Sequence, residues 1–124
     1  MSNIEIVQSF YKAWAAGDLD GSLAHCTEDI VWDNVPLKPF EGKERVRRFL
    51  EKFANGMSHA RYDIKNHLES GDLLMIEAVE RYNKDGHSVA VPYMALFTMR
   101  DGRIAEMRDY FDLATVERQL GLTD

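Results

Sequence analysis

Three short turn motifs, spaced at regular intervals in the second half of the chain, constrain its fold more than any other feature. They are Ser70-Gly71-Asp72, Lys84-Asp85-Gly86 and Arg100-Asp101-Gly102. Each lies between runs that are rich in β-branched, aromatic and aliphatic residues, and such a turn between such runs favours a β-hairpin. The second half is therefore predicted to form four antiparallel strands, near residues 60–68, 73–82, 87–99 and 103–111.

Apolar residues at helical spacing predict helices in the first half and at the end of the chain. The predicted elements are a helix over 4–14, a short helix ending near 25, a strand over 30–34, a helix over 42–57 and a last short helix over 113–120. Helices first and an antiparallel meander afterwards predict an α+β fold, with a curved sheet wrapped around a long helix. Because 124 residues suffice for one domain but not for two ordinary ones, we expect a single domain over residues 1–124, with a small-molecule pocket at the open end of the cone.

The composition of the chain argues against several classes of function. The formal net charge of −6 argues against a nucleic-acid or anionic-membrane surface, since both require a concentrated basic patch. No apolar run reaches the length of a membrane span, and the start of the chain lacks the pattern of a signal peptide. Cys26 is the single cysteine and has no partner for an internal disulfide, so a cytoplasmic location is expected. The four histidines lack a metal-ligand spacing and no Gly-rich phosphate loop is present, so neither a metal nor a cofactor is expected.

Two carboxylates, Glu80 and Asp109, fall on the apolar faces of two predicted strands. A period of two places Glu80 with Leu74, Ile76, Ala78 and Tyr82. The same alternation places Asp109 with Ala105, Met107 and Phe111, opposite Ile104, Glu106, Arg108 and Tyr110. An ionised carboxylate without a partner in such a place costs several kcal/mol, so each acid must be hydrogen-bonded, partly hydrated or protonated. A pocket that tunes its acids meets this requirement.

The order of elements, with Ala16-Gly17-Asp18-Leu19-Asp20 after the first helix, resembles the NTF2-like superfamily of ketosteroid isomerases and SnoaL-like polyketide cyclases. This resemblance spans nearly the whole chain and implies a cone-shaped, cystatin-like α+β barrel with a mixed or antiparallel sheet. Two segments, residues 31–37 and 102–113, resemble the limonene-1,2-epoxide hydrolase family more narrowly. The second contains Arg108-Asp109-Tyr110-Phe111-Asp112 after a Gly-Arg-Ile turn.

The narrower resemblance implies roles for three residues. Asp109 matches the carboxylate that activates water in that family, and Glu80 matches the acid that protonates the epoxide oxygen. Asn34 matches the amide that helps to hold the attacking water. These three residues are the candidate catalytic group.

The chain departs from the family pattern at three positions. Ala78 stands where the family has an arginine that bridges the two acids, Trp32 replaces a tyrosine that holds water, and Met107 stands where a tryptophan is common. Without the arginine, two nearby carboxylates repel and the less stabilised one takes up a proton. Together with Phe53 and Tyr11, these three residues are the candidate substrate-binding group.

Three functions remain open at this stage. The first is opening of an apolar epoxide by activated water. The second is removal of a proton next to a carbonyl by Asp109, as in polyketide cyclases and isomerases of the superfamily, with Trp32 or Glu80 donating to the enolate. The third is binding of an apolar ligand without turnover, since the fold alone does not decide function.

The strand over 87–99 is apolar on both faces, which predicts that one face meets another subunit. The outer face is expected to carry Val89, Val91, Tyr93, Phe97 and Met99, or else their alternates. A homodimer through the sheet is therefore predicted. The strand over 60–68 is expected to turn Ala60, Tyr62, Ile64, Asn66 and Leu68 inward, opposite Arg61, Asp63, Lys65 and His67.

Overall fold

The computed structural model describes residues 1–122. Four helices and six strands follow in the order α1 (Asn3–Ala15), α2 (Leu19–Leu23), β1 (Cys26–Asn34), β2 (Phe40–Glu41), α3 (Lys43–Ala54), β3 (Met57–Ser70), β4 (Leu73–Lys84), β5 (His87–Arg100), β6 (Arg103–Phe111) and α4 (Leu113–Gln119). None of the helices in the described part of the chain is long and apolar enough to cross a membrane.

The six strands form one curved sheet in the order β2-β1-β6-β5-β4-β3. Strands β3 to β6 pair antiparallel in sequence, as their turn motifs predict, and β1 joins β6 in parallel. The predicted α+β fold with a curved, mixed sheet is confirmed. The sheet is open, because β2 and β3 end it and do not pair with each other.

The core lies on the inner face of the sheet, where α1 and α3 pack against it. Helix α1 begins with a capping box, in which the Glu5 backbone N–H donates to Ser2 Oγ at 3.3 Å and the Ser2 N–H donates to Glu5 Oε1 at 3.0 Å. Its buried face carries Val7 and Phe10, and α3 contributes Leu50 to the same cluster. Burial of such side chains stabilises the fold by about 1.5–3 kcal/mol each.

Two strand irregularities change which residues face inward. The pairing of β3 with β4 shifts between Ile64 and Asn66, so that Asn66 faces outward beside Glu77 and Leu68 is 76% exposed. The inward orientation predicted for Asn66 and Leu68 is therefore wrong, because a bulge reverses the alternation that follows it. A similar shift in β6 places Ile104 in the core rather than on the outer face.

Two element boundaries also differ from the sequence prediction. Strand β1 begins at Cys26, four residues before the predicted start, and α3 ends at Ala54 rather than at 57. Gly56, with φ of 79°, takes a left-handed conformation that stops α3 and lets Met57 begin β3.

The outer face of β5 carries the alternates of the apolar set. Val91, Tyr93 and Phe97 are buried on the inner face, whereas Met94 is 51% exposed on the outer face. Met75 of β4 and Tyr110 of β6 are similarly exposed. The homodimer that the sequence predicts through the sheet stays a prediction.

Candidate functional site

A cavity of about 240 Å³ opens between the helices and the inner face of the sheet. This volume is slightly below the usual range of about 300–1,000 Å³ for ligand pockets. Nine of its eighteen lining residues are aromatic and six are aliphatic, and the remaining three are Asn34, Glu80 and Asp109. The polar residues of the cavity are therefore the three candidate catalytic residues.

Helix α4 forms part of the cavity wall through Leu113 and Val116. Two hydrogen bonds from the Gln119 side chain hold this helix against β5. The Ala90 N–H donates to Gln119 Oε1 at 2.7 Å, and Gln119 Nε2 donates to the Ala90 carbonyl at 3.1 Å. Ala90 lies beyond the part of β5 that pairs with β6. The glutamine amide thus satisfies backbone groups that a neighbouring strand would otherwise pair.

Asp109 lies on β6 and is only 8% exposed. The indole N–H of Trp32, on the adjacent strand β1, donates to its Oδ2 at 3.1 Å. Its Oδ1 is buried and has no hydrogen-bond partner among residues 1–122. Burial raises the pKa of Asp109 to about 7, although the Trp32 hydrogen bond acts in the opposite direction, and the nearby charge of Asp33 adds to the rise. Near neutral pH this carboxylate is poised between its two protonation states.

Glu80 lies on β4 and is partly buried in the wall of the same cavity. Burial, together with the charge of Asp109, raises the pKa of Glu80 to about 8, and a hydrogen bond with Tyr62 opposes the rise. At neutral pH Glu80 is therefore mainly the neutral acid while Asp109 is partly ionised. The two acids interact, so their protons leave in steps that belong to the pair.

Four tyrosines, Tyr11, Tyr62, Tyr82 and Tyr93, line the cavity with the acid pair, and only Tyr11 was among the predicted site residues. Tyr11 stacks on Tyr62 with a centroid distance of 4.1 Å, and the Tyr93 hydroxyl donates to the Tyr11 hydroxyl at 3.0 Å. Burial raises the pKa of Tyr11, Tyr62 and Tyr93, so all three remain neutral phenols. Tyr62 and Tyr93 were missed because a tyrosine on an inward strand position also reads as ordinary core.

Tyr62 of β3 is in register with Glu80 of β4, and both line the cavity. The Tyr62 hydroxyl lowers the pKa of Glu80 and so opposes the rise that burial causes. A group that stabilises the ionised form makes Glu80 a better proton donor to a bound molecule.

The structure brings together most of the predicted site residues. Asn34 is in register with Asp109 on the neighbouring parallel strand, and both line the cavity. The cavity wall also contains the other predicted residues except one, namely Trp32, Met107, Phe53 and Tyr11. The exception is Ala78, which is 1% exposed in the core and does not line the cavity. Its register partner on β5, Tyr93, does line the cavity.

No Lys, Arg or His is found among the cavity-lining residues of the described chain. Arg81 instead pairs with Asp63, Nε to Oδ2 at 2.8 Å, and Arg108 lies 3.8 Å from Glu106. Both arginines are on the outer face, as the alternation predicts. The negative charge of the acid pair therefore has no cationic partner within the described part of the protein.

Other reactive groups lie away from this site. Cys26 is buried, and burial raises the pKa of its thiol to about 12, which leaves it protonated. Within residues 1–122, no cluster of three or more His, Cys, Asp or Glu side chains is arranged to hold a metal ion.

The family model of the SnoaL-like domain matches residues 7–107, which is most of the chain. The protein belongs to the SnoaL-like domain family. This SnoaL-like protein shares its fold with a ketosteroid isomerase-like protein of Catenulispora acidiphila that was solved with trimethylamine. The two are 23% identical with a TM-score of 0.86, over 98% of this chain and 96% of that one.

Two further solved structures extend the comparison. An LEH-like epoxide hydrolase of M. tuberculosis is 24% identical with a TM-score of 0.82, over 95% of this chain and 91% of that one. A protein of Pseudomonas putida assigned as a polyketide cyclase is 26% identical with a TM-score of 0.80, over 96% of this chain and 98% of that one. The ketosteroid isomerase-like, NTF2-like fold predicted from the sequence is confirmed.

Proposed function

We propose that this SnoaL-like protein is a cofactor-independent enzyme that opens small apolar epoxides with activated water. The observation that carries the proposal is the placement of Asp109, Glu80 and Asn34 in one apolar cavity, where Asp109 accepts from Trp32 and burial favours the neutral form of Glu80. A base and an acid that differ in this way are what ring opening requires, because one proton is removed as another is supplied.

Asp109 is the base of the proposed reaction. The Trp32 N–H fixes Oδ2, and Oδ1 remains as an acceptor for a proton of water. Asn34 is in register with Asp109 on the parallel strand and lines the same cavity, which supports a role for its amide in holding the water. The water oxygen attacks an epoxide carbon while its proton passes to Asp109.

Glu80 is the acid. As the epoxide C–O bond breaks, the electron pair goes to the ring oxygen, which takes the proton of Glu80. The net reaction adds one water to the substrate and forms a diol. Asp109 ends protonated and Glu80 ionised, and return of one proton from Asp109 to Glu80, directly or through solvent, restores the starting state.

Desolvation performs part of the work that an arginine performs in the epoxide hydrolase pattern. A guanidinium between two acids holds both in place. Here burial favours the neutral form of Glu80, and the Trp32 N–H orients the Asp109 carboxyl group. The LEH-like epoxide hydrolase from M. tuberculosis, at 24% identity, shows that an epoxide hydrolase can have this fold.

A second candidate is proton abstraction next to a carbonyl, as in ketosteroid isomerases and polyketide cyclases. It is favoured by the Trp32 hydrogen bond, which directs the only indole N–H of that residue to Asp109 and leaves one fewer group to hold a water. Asp109 would then take a carbon-bound proton, and Glu80 would donate to the enolate oxygen. Asn34 has no part in this reaction.

The test is a turnover assay with a panel of small apolar epoxides in ¹⁸O-labelled water. Diol carrying one label is expected from the wild-type protein, and Asp109→Asn and Glu80→Gln should each reduce kcat by about 10²- to 10⁴-fold. The matched controls are Asp101→Asn, at a left-handed turn position that asparagine tolerates, and Glu77→Gln on the outer face of β4; both should retain activity.

Asn34→Ala separates the two candidates. It should lower epoxide opening and leave unchanged any deuterium exchange from D₂O into the α-carbon of cyclic ketones. Diol formation that survives Asp109→Asn would overturn the mechanism. Ketone exchange without epoxide turnover would replace it with the second candidate, and saturable ligand binding without either reaction would make the protein a binding module.

A further inference from the structure

The acid pair lies in an unusual electrostatic setting. Asp109 is more than nine-tenths buried and its Oδ1 has no partner within residues 1–122, while Glu80 shares the cavity with it. No cationic side chain of the described residues lines the cavity. Two acids in such a place are incompletely neutralised, so a ligand that carries a positive charge would meet a field that favours it.

The aromatic walls of the cavity also favour a cation, independently of the two acids. Trp32, Phe49, Phe53 and Tyr82 form a continuous aromatic series, with successive centroids 6.0, 6.0 and 5.4 Å apart, and all four line the cavity. Aromatic faces attract cations, and such attraction reaches about 2 kcal/mol where water is excluded. A carboxylate beside aromatic faces is the arrangement that recognises alkylammonium groups.

We propose that this cavity binds small organic cations of the alkylammonium class, with the cation seated between the aromatic wall and the Asp109–Glu80 pair. Such a ligand supplies the positive charge that the described residues do not place in the cavity. The proposal concerns binding alone and does not depend on the epoxide reaction.

Binding of this kind is coupled to proton release. Burial raises the pKa of Asp109 to about 7 and that of Glu80 to about 8, and a bound cation stabilises their ionised forms. The other titratable groups that act on the pair are Asp33 of β1 and four tyrosines, namely Tyr11 of α1, Tyr62 of β3, Tyr82 of β4 and Tyr93 of β5. The tyrosines remain neutral throughout this range, so the two acids dominate the response. Affinity for the cation should therefore rise with pH between about 6 and 8.5.

Choline and its neutral carbon analogue, 3,3-dimethylbutan-1-ol, form a matched pair of probes. They have nearly the same shape and hydroxyl group and differ in the charged nitrogen. Isothermal titration calorimetry at about pH 8.5 should show choline binding at least tenfold more tightly than the alcohol. Between about pH 6 and 8.5 the affinity for choline should rise about tenfold, as expected when one group of pKa about 7 must ionise, and that for the alcohol should stay within about twofold.

Variants locate the effect. Asp109→Asn should reduce choline affinity at the higher pH by about tenfold or more and flatten its pH dependence, whereas Asp101→Asn should change neither. Repeating the titration in buffers of different ionisation enthalpy should reveal proton release by the wild-type protein.

Equal affinity for choline and the alcohol at about pH 8.5, or choline affinity independent of pH, would overturn the proposal. Both measurements use the wild-type protein, so they test the proposed cation binding even if a variant folds poorly. Epoxide turnover is measured separately. Choline binding without diol formation removes only the proposed reaction, and diol formation without cation preference removes only this inference.

Discussion

Glu77 and Glu80 lie three residues apart on β4 and face opposite sides of the sheet. Glu77 is exposed on the outer face, where its Oε1 accepts from Asn66 Nδ2 at 2.7 Å. The same face carries the Arg81–Asp63 ion pair. Glu80 faces the cavity, where its neighbours are aromatic rings and a second acid.

The position of a glutamate on the sheet, and not its residue type, therefore determines whether it can belong to the site. On the outer face, water and nearby polar groups stabilise the charge of a carboxylate. On the inner face, burial and Asp109 destabilise that charge, so the pKa of Glu80 rises to about 8. A site that holds a neutral acid near neutral pH therefore also carries a stability cost as pH rises.

The largest expected effect of this contrast is on the pH dependence of stability. The folded pKa of each inner acid lies above its unfolded value, from 4.5 to about 8 for Glu80 and from 3.8 to about 7 for Asp109. The folded chain thus binds more protons than the unfolded chain between about pH 4 and 8, and stability falls as pH rises through this window.

The double variant Glu80→Gln with Asp109→Asn should remove this loss. Its free energy of unfolding, relative to wild type, should increase by several kcal/mol between about pH 5.5 and 8.5, measured by urea unfolding. Glu77→Gln, on the outer face of the same strand, should follow the wild-type profile. Parallel profiles for wild type and the double variant would show that the two faces do not differ in this respect.

A smaller effect is expected when one hydrogen bond on the inner face is removed. Trp32→Phe keeps an aromatic ring but deletes the N–H that stabilises the ionised Asp109. The pKa of Asp109 should rise by about one unit, since a hydrogen bond to a charged group contributes about 1.5–3 kcal/mol, part of which solvent replaces. A ¹³C NMR titration of the aspartate carboxyl groups measures the shift. An unchanged titration of Asp109 would mean that Trp32 does not hold this carboxylate in solution.

The smallest effect is expected on the outer face. Arg81→Gln breaks the pair with Asp63, whose two side chains are 40% and 49% exposed. Solvent screens such pairs, so the free energy of unfolding should change by less than about 1 kcal/mol in chemical denaturation. A loss of several kcal/mol in the free energy of unfolding would mean that charged groups on the outer face affect stability as strongly as those on the inner face.

The alternation of β4 could be predicted because it runs without a bulge, so its period of two stays in phase from Leu74 to Tyr82. Glu80 was therefore assigned to the correct face from the pattern alone. In β3 and β6 the same rule failed at Asn66, Leu68 and Ile104, because one extra residue in a strand reverses every later side chain. No residue type at those positions predicts a β-bulge.

Asp109 and Asn34 were assigned as partners from the family resemblance, and their register on parallel strands brings them together. Tyr62 and Tyr93 gave no such signal. They reach the acids only because β3, β4 and β5 stand side by side, which pairs Tyr62 with Glu80 and Tyr93 with Ala78. Side-chain contacts of this kind depend on strand register, which short-range patterns do not encode.

Local propensity and periodicity were enough to predict the order of the helices and of every strand except the two-residue β2, the hairpin turns and the two acids in apolar company. The shared cavity of the two acids, its four tyrosines and the position of every arginine of the described chain outside its wall depend on the tertiary structure. The physical reason is that burial, field and hydrogen-bond direction belong to the neighbours a residue acquires on folding, and most of these neighbours are distant in sequence.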